Sequence, residues 1–210
     1  ALANQIRGLL SEFSIVMAQG LRVVLLQAAV MAADERLCLP APMRTLIAQL
    51  HQQLKALDEQ VSQLEQIIAA TAQPDSLERR LQQVPGIGPI TSSALVATVG
   101  DAALFANGRQ LAAWLGLVPR QHSSGGKDKL LGISKRGDGY VRTLLIHGAR
   151  SLIQANERRR AAGKSTDPWL DRLLARCHAN VAAVALANRN ARIVWAMMTS
   201  GSTYRARADA

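Results

Sequence analysis

Two adjacent serines, Ser123 and Ser124, stand before a glycine pair in the stretch GLVPRQHSSGGKDKLLGISKRGDG, residues 116–139. A serine hydroxyl flanked by glycines can approach a phosphodiester closely. The cations around it, Arg120, Lys127, Lys129, Lys135, Arg136 and, slightly further on, Arg142, suit the charge that develops on a pentacoordinate phosphorus. Serine is a weak nucleophile at neutral pH and needs a base or a strongly polarised phosphate. His122 is the nearest base, and it reads equally well as a phosphate contact or a solvated loop histidine. Five glycines after Gly116 and five Lys/Arg within this stretch mark an exposed functional loop. Spacing alone does not separate a nucleophilic serine from a basic loop that grips phosphate without chemistry.

Other phosphoryl-transfer chemistries fit less well. A two-metal nuclease needs clustered carboxylates holding cations about 4 Å apart, and the basic region offers Asp128, Asp138 and Glu157 in no evident cluster. There is no His/Cys array with metal-ligand spacing and no Walker-type loop. The expectation is a chain with no metal ligands and no cofactor of its own. Cys38 and Cys177 have neither metal spacing nor disulfide density, and read as reduced residues of a cytosolic protein.

The charge supports a polyanionic partner. The 210-residue chain carries a formal net charge of +10, which favours nucleic acid over a basic protein without such a partner. Its distribution says more than its sum. Residues 105–164 hold twelve Lys/Arg against three Asp/Glu, whereas residues 1–73 hold five against six. The excess is an electrostatic footprint on one stretch. No window reaches the roughly 18 apolar residues of a membrane span, and no signal peptide is evident. The chain opens on Ala1 directly into helical pattern, as a piece of something longer would.

The elements that must position this loop are helical. Ala, Leu, Gln and Arg dominate and aromatics make up 3% of the chain, so the expected fold class is mainly α. Residues 1–44 read as a helical linker region with a break near Gln19 and Gly20. In residues 45–73 the apolar positions Ile47, Leu50, Leu54, Leu57, Val61, Leu64 and Ile68 advance by threes and fours. This is the seam of a long coiled-coil-like helix; a helix packed on its own domain is the alternative. Residues 74–210 read as a second helical domain. Within it, residues 76–100 carry Val-Pro-Gly-Ile-Gly-Pro, the pattern of a helix-hairpin-helix. Gly86 and Gly88 would let backbone amides and a helix dipole meet a phosphate without reading sequence. A purely structural corner is the other reading. Asn107 and Gln110 form a capping box for a short helix holding Trp114, which is expected in the core. A further helix, near residues 140–154, carries Arg142, His147 and Arg150.

Taken in order, VPGIGPITSSALVATVGD, FANGRQLAAWLGLVPR, HSSGGK, GISKRGD and YVRTLLIHGAR resemble the C-terminal transposase domain of the insertion-sequence family numbered one hundred and ten, subgroup eleven-eleven. The likeness spans roughly residues 81–151. It implies a bacterial, cytoplasmic DNA recombinase whose partners are DNA and a bridge RNA that guides site choice. Separately, the narrow seam of residues 45–73 favours a partner helix, so self-association through the coiled coil is expected. The family's nucleophile is the serine directly before glycine, here Ser124, with Ser123 as fallback. Ser134, in Ile-Ser-Lys-Arg-Gly, is expected to contact phosphate or RNA. The family also has an N-terminal RuvC-like domain whose four carboxylates bind a divalent metal, most simply magnesium. Residues 1–73 do not supply these. Two readings follow: part of a serine-type recombinase, or a non-catalytic nucleic-acid-binding and oligomerisation module.

Overall fold

A computed structural model describes residues 1–73, 75–123 and 130–205. Ser124, Lys127 and Lys129, three of the expected site residues, lie outside the described residues. The chain divides into two compact units, Ala1–Ile67 and Ile68–Ala210. The described elements are overwhelmingly helical, as the composition requires.

The first unit is built from α1 (Leu2–Ser11), α2 (Leu21–Ala33) and most of α3 (Ala41–Thr71). Its core joins Ile6, Leu10, Met17, Val24, Ala28, Leu39, Ile47, Leu50 and Leu54. The break expected near Gln19 is wider than its glycine suggests, because the chain leaves helix after Ser11, with Ser14 at φ 59°. Pro40 and Pro42 do not shorten α3. Pro42 sits in its first turn, where a missing N–H costs nothing. The seam is used in two ways. Ile47, Leu50 and Leu54 are buried in this unit, whereas Leu57, Val61 and Leu64 remain 49%, 53% and 60% exposed. Arg44 closes the unit, its guanidinium donating to the carbonyls of Ala32, Asp34, Leu37 and Leu39 at 2.6–3.0 Å. Those oxygens end α2 and line the turn after it, and one cation satisfies them all.

The second unit packs α4 (Leu77–Leu81), α5 (Pro89–Val99), a short 3₁₀ turn (Ala102–Leu104), α6 (Gly108–Trp114), α7 (Gly139–Ala161), α8 (Pro168–Leu174) and α9 (Ala179–Ser200) around one core. Helix α9 buries Ala182, Ala183, Leu186, Ala187, Ala191, Val194 and Met197. These mostly small side chains let neighbouring backbones come close. Gly108 on α6 lies so near Arg192 that a Cβ would stand 2.9 Å from its Cα. Asn107 and Gln110 cap α6 as their spacing predicts, Asn107 Oδ1 accepting from the Gln110 amide at 3.0 Å and Gln110 Oε1 from the Ala106 amide at 2.6 Å.

Helices α7 and α8 are tied by a partly buried polar knot. Asn156, 4% exposed, accepts from the Asp167 amide at 2.9 Å and donates to Asp171 Oδ1 at 2.7 Å. Thr166 Oγ1 donates to Asp171 Oδ2 at 2.5 Å, and Arg160 pairs with the same carboxylate. The Thr166 hydroxyl first, then Asn156 and Arg160, hold the Asp171 carboxyl below the usual carboxylate range, against partial burial that pushes it up.

Two outcomes follow. On Gly148 a Cβ would lie 1.9 Å from the Gly86 carbonyl oxygen, an overlap that only backbone movement relieves. Gly148→Ala should therefore cost at least about 3 kcal/mol, the upper end for overpacking, read as a lowered denaturation midpoint. Asp171 has a folded pKa below its unfolded one, so its stabilisation is present above the unfolded pKa and is lost as pH falls through the folded one. Asp171→Asn should thus flatten the acid limb of a melting-temperature profile below about pH 4, while lowering the melting temperature at pH 7.

Candidate nucleic-acid interface

The basic loop stands on a closed base. After α6, Gly116 turns the chain at φ 73°, and Leu117 is buried beneath it. The chain then forms β1 (Pro119–Gln121), which pairs antiparallel with β2 (Leu130–Ile133). Pro119 faces Ile133 and Gln121 faces Leu130, so β2 carries one extra residue and the ribbon bulges there. Neither strand is foreseen in the sequence, because runs of three and four residues are too short to show an alternating apolar pattern.

Backbone packs on backbone where the ribbon closes. A Cβ on Gly116 would lie 2.1 Å from the Arg136 carbonyl oxygen, and one on Gly137 would lie 1.8 Å from that of Trp114. The Ser134 amide donates to the Val118 carbonyl at 2.8 Å and the Lys135 amide to that of Gly116 at 3.2 Å. Lys135 is held at φ 56°, a left-handed conformation uncommon for a non-glycine residue. Asp138 then caps α7, its Oδ1 accepting from the Val141 amide at 2.7 Å, which commits that carboxylate to a helix N-terminus.

The expected site residues separate into three groups. Arg120, His122, Lys135 and Arg136 are exposed on or beside the ribbon. Among the described residues, none of the ion pairs involves Arg120, Lys135 or Arg136. Ser123 is exposed at the ribbon's end, and Ser134 is half-buried, its Oγ accepting from the Arg136 amide at 3.5 Å. Arg142 is half-buried and turned inward. Its Nη1 donates to the carbonyls of Leu115, Arg136 and Asp138 at 3.1–3.4 Å, joining the end of α6 to the start of α7. These bonds tie it to the loop base.

The glycine corner lies in the same unit. Gln82 Nε2 donates to Ser92 Oγ at 3.1 Å, linking α4 to α5 across the turn. Gly86, at φ 87°, faces α7, where a Cβ would meet the Gly148 carbonyl oxygen at 3.0 Å. Asn190 on α9 donates to the Pro85 carbonyl at 2.9 Å. Gly88 is exposed, and a Cβ there would meet nothing within 4 Å. The first glycine thus serves packing, and the second leaves the α5 N-terminus open. Trp114 is 39% exposed and tilts against Phe105 with ring centroids 5.4 Å apart. Tyr140, 61% exposed at the start of α7, is a residue that the sequence reading passes over, since an isolated tyrosine in a helix carries no spacing signal. Among the described residues, no three His, Cys, Asp or Glu side chains come together as a metal site.

Residues 78–164 match the family model described as "Transposase IS116/IS110/IS902 family". The matched segment is thus similar to a domain of that transposase family. It contains the glycine corner, the basic ribbon and the whole of α7. Relatives extend the likeness along the chain. It is 48% identical over 209 residues to a "Probable family 20 transposase" of Pseudomonas aeruginosa, covering 98% of this chain and 60% of that protein. It is 43% identical over 205 residues to the "Transposase for insertion sequence element IS1111A" of Coxiella burnetii, covering 98% and 56%. For the "Transposase for insertion sequence element IS1328" of Yersinia enterocolitica the identity is 40% over 201 residues, covering 96% and 58%. The chain thus spans little more than half the length of these curated relatives. Among the described residues, no helix is long and apolar enough to cross a membrane.

The geometry of the loop base makes Arg142 testable. Arg142→Ala removes charge-assisted bonds worth about 1.5–3 kcal/mol each. Amide exchange at Lys135 and Ser134 should accelerate by at least tenfold, while exchange in α9 stays near its original rate. Unchanged exchange at both amides would show that the arginine does not hold the loop base.

Proposed function

We propose that this chain is the nucleic-acid-handling part of an insertion-sequence transposase, and that Ser124 is its nucleophile for DNA strand exchange. One observation carries the reading. The family domain contains the chain's one concentrated basic stretch, and its Ser-Gly-Gly-Lys run lies between two strands whose base is locked by glycine contacts and Arg142. Such a base gives Arg120, Lys135 and Arg136 a fixed footing, so that meeting a phosphate needs little reorganisation of these cations.

The step is transesterification. The Ser124 Oγ–P bond forms, the bond from phosphorus to one deoxyribose oxygen breaks, and that oxygen leaves with a proton as a free hydroxyl. The phosphoserine ester is then attacked by a hydroxyl of another strand, which restores the serine. Arg120, Lys127, Lys129, Lys135 and Arg136 neutralise the phosphorane, and His122 is the nearest group able to accept the serine proton. The helix-hairpin-helix at residues 76–100 contributes phosphate binding through the open α5 N-terminus beside Gly88. In line with the family resemblance, a bridge RNA selects the DNA sites. The uncovered seam positions Leu57, Val61 and Leu64 join copies of the chain. Divalent-metal chemistry belongs to the part of the longer protein not represented in these residues.

A second reading is favoured by the partial coverage of the relatives and by the absence of an acidic cluster among the described residues. In it, this chain grips nucleic acid and oligomerises without chemistry. A covalent adduct separates the two. Full-length protein, guide RNA and a nicked DNA that traps the intermediate should yield a protein–DNA ester. Ser124→Ala should abolish both adduct and recombination, by at least 100-fold, whereas Ser123→Ala keeps both. Normal recombination by Ser124→Ala would overturn the assignment, and no adduct from the wild-type protein would favour grip alone.

A further inference from the structure

Helix α7 has a face that the loop chemistry does not use. Val141, Leu145, Ala149, Ile153 and Asn156 turn one side of it into the core. On the opposite side Tyr140, His147 and Gln154 follow one another at intervals of seven, two helical turns each, with Thr143, Arg150, Ser151 and Arg158 beside them; all seven are exposed. An ordinary solvated helix face mixes charges of both signs. This one does not: residues 139–156 contain no Asp or Glu. Of the two flanking carboxylates, Asp138 is committed to the helix cap and Glu157 is exposed beside Arg158.

The side chains on this face are largely uncommitted. Arg150 makes one long bond, at 3.3 Å, to Asn180 Oδ1. Among the described residues, neither His147 nor Arg158 takes part in an ion pair or a side-chain hydrogen bond. Their neighbours at the helix end differ: Arg159 bonds the Ser165 carbonyl and Arg160 pairs with Asp171.

We propose that the exposed face of α7 is a second DNA-binding surface, a track for the phosphate backbone of a duplex leading away from the basic ribbon. The inference rests on the DNA partner assigned above, but on different residues. The row begins at Tyr140, next to the loop base, and reaches Arg158. At 1.5 Å per residue this is about 27 Å, or about eight base pairs at 3.4 Å each. A straight row of cationic and hydrogen-bonding groups suits phosphate contacts, which position a duplex without reading it. Single strands need repeated stacking platforms, and here Tyr140 is the one exposed aromatic. A protein partner would need an apolar centre, yet Tyr140 is also the one exposed large hydrophobic residue of α7.

The test is a salt titration of binding by the 210-residue chain to a labelled duplex DNA of about 30 base pairs and arbitrary sequence. The triple variant His147→Ala, Arg150→Ala, Arg158→Ala should bind at least tenfold more weakly at about 0.1 M salt. Its slope of log affinity against log salt should be shallower by about two, since each phosphate left unneutralised takes about 0.9 from the slope. The single variant Arg158→Gln should lower the slope by about one, and both variants should keep the wild-type melting temperature within a few degrees. An unchanged slope in the triple variant overturns the proposal, as does tighter binding to single-stranded DNA or duplex RNA than to duplex DNA. The pair Arg120→Ala, Arg136→Ala reports on the ribbon. Binding abolished there but kept in the triple variant leaves the loop reading standing and removes the track; the reverse does the opposite.

Discussion

The contact on which this architecture turns is backbone against backbone at the foot of the basic ribbon. Gly116 and Gly137 allow residues 114–116 and 135–137 to approach more closely than any Cβ would permit, and both take positive φ to do so. Concentrating cations in one stretch carries a repulsive cost. A flexible loop would spread those charges apart. Closing the base keeps Arg120, Lys135 and Arg136 on one small ribbon, and Arg142 consolidates the closure by turning a fourth cation toward carbonyl dipoles. The same contact thus provides both rigidity and charge density.

The base must itself be held, and α9 does this. Its Asn188 donates to the Leu117 carbonyl at 3.2 Å, Asn190 to Pro85, and Trp195 Nε1 to the carbonyls of Ala102 and Phe105 at 3.0–3.1 Å. The Leu117, Pro85 and Phe105 oxygens lie in connections outside the described helices and strands, and that of Ala102 lies in the 3₁₀ turn, where it also accepts from the Phe105 amide. Leaving such a group buried and unpaired costs about 1–3 kcal/mol, so these three side chains do more than their number suggests. They also fix the corner at Pro85 and the loop start at Leu117 to one rigid helix. Alanines between them let α6 and α7 pack tightly, and fully burying a leucine such as Leu115 or Leu145 adds about 1.5–3 kcal/mol.

Much of this is legible in the sequence alone. Helical periodicity, the Asn107–Gln110 capping box and the stops at Gly100 and Gly116 all depend on neighbours within a few residues, which a sequence displays directly. The long helix is legible too, but not what covers it. Leu54 and Val61 look alike in a heptad count, yet Leu54 is buried and Val61 is not, because α1 and α2 cover only the first part of α3. Gly86 and Gly88 look equivalent as well. Only packing distinguishes the glycine pressed on Gly148 from the one facing open space. Arg142 groups with the loop cations on charge, and nothing local shows that its guanidinium turns inward. The two short strands leave no trace, since β1 is exposed along its length and three or four residues are too few to display alternation.

The division of labour among charged groups bears on how the loop could act. Asp138, the carboxylate nearest the ribbon's foot in sequence among the described residues, bonds the α7 N-terminus, where the helix dipole favours its charge. A free carboxylate there would neutralise one cation and repel a phosphate. Used as a cap, it stabilises α7 instead, and its field is partly answered by the helix it begins. Arg142 makes the complementary arrangement, a cation facing carbonyl oxygens at the end of α6. The two inward-turned charges build the scaffold, and the outward ones, Arg120, Lys135 and Arg136, retain their full field for a polyanion. Among the described residues, none of these three cations would have to leave an ion pair to meet a polyanion. A scaffold set before a polyanion arrives costs no reorganisation when it does, which is the advantage that the closed base confers on these three cations.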